Sequence, residues 1–297
     1  MLKSNTHKAG RHFLQVPGPT NIPDRVLQAM AFPAMDHRGP DFQNLSNNVL
    51  KKIKLIFKSE DPVIIFPSAG TGAMEASLAN TLSEGDKILM FETGHFATEW
   101  CQAARRYKLD VDFIPGDWRT GADPKIVEKK LSEDKNHEIK AVLVTHNETS
   151  TGIKSQVEEV RKAIDSTNHP TLFMVDTISS LGSYNYDHQK WKVDVTVGGS
   201  QKGLMCPPGL SFNAISPKAL ESYKKSKLTK SYFDWGQMLD NNKNGFYPYT
   251  PAVNLLYALN EAVDMLLEEG LENVFKRHKR HADATRIAVE NWGLEIL

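Results

Sequence analysis

Lys202 lies in Gly198-Gly199-Ser200-Gln201-Lys202-Gly203, followed by Leu204 and Met205. Most lysines are solvated surface charges, so it is the small and apolar neighbours, not the residue type, that single this one out. Such neighbours strip water from the amine, and desolvation disfavours the ammonium form and leaves a nucleophile able to form an imine with a carbonyl. Asp176 closes the apolar run TLFMV at 171–175. A carboxylate there is either a turn or cap residue, or a half-buried anion kept ionised by a cationic partner such as a ring nitrogen. Ser68-Ala69-Gly70-Thr71-Gly72 leads into a helical stretch. A glycine-rich turn at a helix N-terminus presents backbone N–H groups to an anion, although an ordinary tight turn has the same composition. It matches neither the P-loop nor the dinucleotide fingerprint. His146-Asn147-Glu148-Thr149-Ser150-Thr151-Gly152 clusters short polar side chains that also suit a helix-capping turn, and Gly94-His95-Phe96 offers an aromatic face. Each feature alone has an ordinary structural explanation. Together, an anion cradle, a flat aromatic, a carboxylate and an imine-forming lysine are what pyridoxal phosphate requires of a protein.

The elements that must position these residues alternate along the chain. Short apolar runs at 62–66, 87–91, 110–114, 140–144, 171–175 and 194–197 read as strands, and the stretches 73–82, 96–107, 124–131 and 156–164 read as helices between them. Several runs are apolar at consecutive positions, as strands of a parallel sheet covered on both faces are. Alternating strands and helices predict a βαβ architecture, in which ligands bind at the carboxyl ends of the strands. The chemistry-bearing residues all fall in or next to loops that follow strand runs. Toward the C-terminus, leucines and valines at i, i+3, i+4 spacing predict a helix over 251–270 with Gly270 as its cap. A second helix is expected over 271–291, and WGLEIL (292–297) is expected to begin a strand. Residues 1–20 lack periodicity and are expected to form an extended arm ending in Pro17-Gly18-Pro19.

The 297 residues carry 36 basic and 36 acidic side chains, 40% apolar residues and 24% charged ones. That composition suits a globular chain of one large domain or two ordinary ones. A zero net charge argues against a protein that coats nucleic acid or an anionic membrane surface, because both need a basic surplus. Two cysteines, Cys101 and Cys206, cannot make a disulfide framework and read as reduced thiols. No secretory signal is legible in residues 1–16 and no apolar run approaches the length of a membrane span, so a cytoplasmic location is expected. No internal repeat or low-complexity tract is present.

The chain resembles the fold type I pyridoxal-phosphate enzymes of the class V aminotransferase group, and within it the serine–glyoxylate and alanine–glyoxylate aminotransferases. The resemblance is carried by VPGPTNIPDRV (16–26), DHRGPDF (36–42), FPSAGTGAMEASLANTL (66–82), HNETSTG (146–152), VDTISSLGS (175–183), GSQKGLMCPPGL (199–210), YFDW (232–235), FYPYTP (246–251) and EEGLENV (268–274). It implies an α/β fold with a mainly parallel sheet sandwiched by helices. The implied division is an arm (1–20), a large cofactor-binding domain (21–275) and the start of a C-terminal small domain (276–297), only partly present. The implied cofactor is pyridoxal 5'-phosphate, with Lys202 carrying it covalently and moving protons, and Asp176 pairing with its ring nitrogen. Phe96 would stack on the ring, Thr149 would contact the ring-oxygen region, and Ala69, Gly70, Thr71 and Gln201 would surround the phosphate. Tyr247 and Thr250 match positions that reach the neighbouring subunit's site, which implies a homodimer. The implied reaction moves an amino group from a small amino acid, serine first, to glyoxylate, as in photorespiration or a serine cycle.

The sequence departs from the family's pattern in places. Phe96 stands where some relatives carry Trp, and Thr71 where some carry His. The arginine that grips the substrate carboxylate is expected beyond Leu297; Arg277, Arg280 and Arg286 read as a solvated helix face, and Arg38 is a possible pocket residue. Cysteine desulfurases carry a His before the lysine and a mobile reactive Cys, whereas here Gln201 precedes Lys202 and Cys206 lies in a Cys-Pro-Pro-Gly turn. Alanine– and aspartate–glyoxylate transfer, a lyase acting on a similar amino acid, and a catalytically silent cofactor-binding relative are the alternatives.

Overall fold

The computed structural model describes residues 13–297. In chain order the elements are α1 (Asp24–Met30), α2 (Pro40–Phe57), β1 (Val63–Phe66), α3 (Gly70–Thr81), β2 (Lys87–Phe91), α4 (His95–Arg106), β3 (Asp110–Ile114), α5 (Pro124–Glu133), β4 (Ile139–Thr145), α6 (Val157–Ser166), β5 (Leu172–Asp176), β6 (Val195–Gly199), β7 (Ser211–Ile215), α7 (Pro217–Tyr223), α8 (Trp235–Asn242), α9 (Val253–Glu269) and α10 (Leu271–Asn291). The seven strands form one sheet in the order β1-β7-β6-β5-β4-β2-β3. β3, β2, β4, β5 and β6 are mutually parallel, and β7 runs antiparallel to both β6 and β1.

The unbroken apolar runs have a simple cause: successive strand residues point to opposite faces, and both faces are buried. Ile88, Met90, Ala141, Leu143, Met174, Val195 and Val197 join a core completed by α2, α3, α4, α8 and α9. Leu89, Phe91, Val142, Val144, Phe173 and Val175 join a second core closed by α5 and α6. Amphipathic spacing sets these covers. α9, for example, buries Leu256, Leu259, Val263 and Leu266 along one stripe.

The expected mainly parallel sheet sandwiched by helices is present, and each of the six expected strand runs corresponds to a strand. β7 is additional. Its sequence, SFNAI, has the buried polar residues Ser211 and Asn213 in place of an apolar run. The strand expected at the C-terminus is not formed. Residues 294–297 are exposed and lie outside the sheet, in neither helix nor strand. Residues 1–12 of the expected arm lie outside the described residues. Residues 13–20 form neither helix nor strand and run to Thr20, whose N–H donates to the Gln201 carbonyl at 2.9 Å. The boundary expected at 275/276 falls inside α10.

Candidate active site

After β2 the chain steps outward to β3, whereas from β4 onward it steps the other way, so the direction of winding reverses between β2 and β4. Loops leaving the carboxyl ends of strands on either side of such a point part and open a crevice. The loops after β1, β2, β4, β5 and β6 all emerge at that edge, because β1 is parallel to β6 across the intervening β7.

Lys202 follows β6 in a loop folded back on itself: Met205 N–H donates to the Lys202 carbonyl at 2.9 Å, Cys206 N–H to Ser200 O at 3.0 Å, and Ser200 Oγ to Pro207 O at 2.6 Å. The lysine is 8% exposed. Its Nζ donates to Thr149 Oγ1 at 2.6 Å and to Ser179 Oγ at 2.8 Å, and these two hydroxyls also bond each other. The amine lies 5.4 Å from the centre of the Phe96 ring. Burial pulls its pKa below the ordinary 10.5, with Asp176 and Glu148 acting in the other direction. Desolvation thus favours the neutral nucleophile that the sequence anticipates.

Asp176 is the last residue of β5 and 4% exposed. Its Oδ1 accepts the Ile178 N–H at 2.8 Å. Burial pushes the carboxyl up from 3.8 to about 7; the Ile178 N–H and Lys202 oppose that rise and Glu148 adds to it. A buried carboxyl so disposed becomes a firm anion once a cation faces it.

One end of the crevice is formed by the start of α3. Its N-cap residue, Ala69, is extended, and no side chain caps the helix. The first-turn N–H groups of Gly70 and Thr71 are therefore left by the helix geometry to seek an anion. Packing is close at Gly70: a Cβ there would lie 2.4 Å from Ile178 Cδ1 and would push that side chain aside. Beside it, Gln201 Oε1 is buried without a hydrogen-bond partner among the described residues. Ala69, Gly70, Thr71, Phe96, Thr149, Asp176, Gln201 and Lys202 line one cavity of about 420 Å³, to which residues 17–19 and Ile178 add walls.

The structure thus brings together eight of the ten residues expected from the sequence. Tyr247 and Thr250 do not line this cavity: the Tyr247 ring is buried against Phe42, with centroids 6.1 Å apart, and Thr250 is exposed. Arg38 is exposed outside the cavity and donates to the Tyr247 carbonyl at 3.3 Å. Arg286 bonds Asp283 on its own helix and Arg280 is exposed, as on a solvated face, whereas Arg277 is half-buried and pairs with Glu269 of α9 at 2.7 Å. Cys206 is fully buried, and burial raises its thiol to about 12, so it cannot act as a thiolate. Sequence reasoning missed Ser179, Ile178 and the Pro17-Gly18-Pro19 wall. Ser179 and Ile178 had a signal in their proximity to Asp176; the wall lay within the matching stretch VPGPTNIPDRV, but its contact with the Lys202 loop is made across most of the chain.

A parallel sheet that reverses at a crevice holding a buried lysine, a buried carboxylate and an uncapped helix N-terminus is the arrangement of the fold type I transferases. The family model "Aminotransferase class-V" matches residues 12–294. The chain is 48% identical over 296 residues to a serine–glyoxylate aminotransferase of Methylorubrum extorquens, covering 98% of this chain and 74% of that protein. It is 44% identical over 282 residues to an L-aspartate–glyoxylate aminotransferase of Paracoccus denitrificans, covering 95% and 71%. The crystal structure of an alanine–glyoxylate aminotransferase from Nostoc sp. superposes with a TM-score of 0.88 at 31% identity, over 99% of this chain and 78% of that one. The protein belongs to the class V aminotransferases.

Proposed function

We propose that the protein binds pyridoxal 5'-phosphate in the crevice and transfers the amino group of a small amino acid, serine first, to glyoxylate, giving glycine and a keto acid (hydroxypyruvate from serine). The observation that carries this reading is the Lys202 amine, held by two hydroxyls over the Phe96 ring in the cavity that Asp176 also lines. The residues present fit the cofactor: an uncapped helix start for a phosphate and a buried carboxyl awaiting a cation. Bound there, the cofactor supplies an electron sink for the bond broken at the donor Cα.

The chain's own residues do the rest. Lys202 holds the cofactor covalently at rest. Freed by the amino donor, its Nζ would act as general base toward the donor Cα proton and as general acid in passing that proton on to the cofactor, not back to Cα. Thr149 and Ser179 orient that amine, and Asp176 keeps the facing ring nitrogen cationic. Ala69, Gly70, Thr71 and Gln201 hold the phosphate, and Phe96 and Ile178 flank the ring. Residues 17–19 wall the crevice against water. In a homodimer, Tyr247 and Thr250 would serve the neighbouring subunit's site; Thr250 is exposed and outside its own cavity, as that role needs, whereas the Tyr247 side chain is buried within its own subunit. No helix among the described residues is long and apolar enough to cross a membrane, and the two buried free cysteines suit the cytoplasm.

Glyoxylate is common to the named relatives and the donor differs among them, so alanine or aspartate as donor is the second reading. Absorbance spectroscopy tests both. A visible band of the loaded protein should be bleached by serine and restored by glyoxylate, and alanine and aspartate should be slower. Absence of the band would overturn the role of Lys202, and a band that none of the three amino acids shifts would overturn transamination.

A further inference from the structure

Two helices begin at the edge where the crevice opens. α3 starts after β1 and α4 after β2, and each directs its N-terminal N–H groups and the positive end of its dipole toward the same edge. They are treated differently. No side chain caps α3, whereas α4 is closed by Glu148 of the β4 loop. Glu148 is fully buried. Its Oε1 accepts the Phe96 N–H at 3.2 Å, the Ser150 N–H at 3.1 Å and the Ser150 hydroxyl at 2.8 Å, and its Oε2 accepts the Ala97 N–H at 3.1 Å. Ser150 Oγ in turn accepts the His95 N–H at 3.0 Å. The first three N–H groups of α4 are therefore all spoken for by one carboxylate and its attendant hydroxyl. The fit is close: a Cβ on Gly94 would lie 2.4 Å from Glu148 Cγ. The Glu148 backbone is itself pinned, with its N–H on Ile153 O at 2.8 Å and its carbonyl accepting Gly152 N–H at 2.8 Å.

We infer that Glu148 is a positioning residue that works as a resident anion: it fills the N-terminus of α4, fixes the Phe96 wall of the crevice, and leaves the N-terminus of α3 as the open end for a phosphate. Charge-assisted bonds to backbone N–H groups at a fully desolvated site hold geometry firmly. The ring end of the crevice is thus set by a tie across the reversal point, from the β4 loop to the β2 loop. The phosphate end is set independently by α3 and the Lys202 loop. This inference rests on the cofactor reading above.

Because the two ends are held by different elements, a perturbation at Glu148 should separate them. Cofactor-free protein is titrated with pyridoxal 5'-phosphate, followed by visible absorbance, and then with inorganic phosphate as competitor. In Glu148→Gln one acceptor oxygen becomes an amide NH2 facing backbone donors. Losing a buried charge-assisted contact of that kind should weaken cofactor binding about ten-fold or more. The inhibition constant of inorganic phosphate should stay within about two-fold, since the α3 cradle is untouched. A merely structural role, loosening the whole crevice, would shift both constants together and overturn the inference. Phe96→Leu should give the same split, and the double variant should lose less than the sum of the two singles, because Glu148 acts through Phe96 beside its direct field on Lys202 and Asp176. Fully additive losses would also overturn it. If Glu148→Gln does not accumulate as folded protein, Ser150→Ala, which removes one donor to the carboxylate, should show the same separation in milder form. A wild-type protein that binds no cofactor would refute the functional reading instead, and a wild type that binds while Glu148→Gln binds equally well would refute only this inference.

Discussion

Replacing Asp176 by Asn should stabilise the cofactor-free protein while destroying its activity. Burial holds the Asp176 carboxyl at about 7, against an ordinary 3.8. Keeping it ionised in the empty fold above pH 7 costs about 4 kcal/mol, at roughly 1.4 kcal/mol per pH unit between those two values. The unfolded chain releases this proton near 3.8 and the folded chain near 7. Between them the folded state binds more protons, so Asp176 makes stability fall as pH rises. Below 3.8 both states are protonated and the contribution vanishes. The Asn side chain can still accept the Ile178 N–H but never ionises. Its advantage over wild type should be near zero at pH 4, grow through pH 4–7 and level off above. The comparison must be between the two proteins. Buried His146 and His188, lowered by burial to about 3 and about 4, contribute the opposite slope, adding stability as pH rises toward 6.5, and they cancel in the difference. At about 2.1 cal/mol/K of unfolding entropy per residue, 4 kcal/mol is roughly 6 °C in Tm for a chain of this length. The assay is thermal unfolding by circular dichroism at one protein concentration from pH 4.5 to 8.5. Adding pyridoxal 5'-phosphate should reverse the order, because the wild-type carboxylate then has a cation to face. An Asn variant no more stable than wild type at pH 8, or equally advantaged at both ends of the pH range, would refute the argument.

Three further outcomes follow from the site. Lys202→Ala should remove the visible band of the covalently held cofactor and lower turnover by several orders of magnitude, read by spectrum and by stopped assay. Ser179→Ala removes one of the two acceptors of the Lys202 amine; a hydrogen bond to a neutral amine is worth about 0.5–1.5 kcal/mol, so kcat should drop about two- to ten-fold with the KM for glyoxylate little changed. Both thiols are buried and raised by burial, so neither cysteine should react with a thiol reagent at pH 7.5 in the folded protein, and Cys206→Ala should retain full turnover.

The parallel core was legible because strands buried on both faces leave unbroken apolar runs, and the loops after them carried the chemistry. β7 was illegible for a physical reason. Asn213 is satisfied inside the core, donating to Ala73 O and accepting from Trp235 Nε1, so a buried strand there reads as polar. α2 could have been read: Phe42, Val49, Ile53, Ile56 and Phe57 form its buried face at helical spacing, but the segment drew attention only through DHRGPDF. Lys202 and Asp176 stood out because the loops that hold them have distinctive composition, whereas the places given to Phe96 and Gln201 came with the family resemblance. Ser179 was harder, since a hydroxyl beside a lysine is defined by the crossing of two loops rather than by spacing. Glu148 lay within a motif already noted, yet its partners are the N–H groups of a helix some fifty residues earlier, which no local pattern reveals.

The sheet order also bears on how the molecule is made. β1 is a four-residue apolar strand, VIIF, buried throughout, and at its edge of the sheet its partner is β7. On the ribosome it emerges long before Ser211–Ile215 exists, and α3, which packs on β6 and β7, emerges just as early. Pairings of such sequence separation close slowly and leave apolar surface uncovered in the meantime. The lysine loop is the connection between β6 and β7, so the event that finally covers β1 is also the one that sets Lys202 in place. Completion of the sheet and competence to capture the cofactor should therefore arrive together during synthesis.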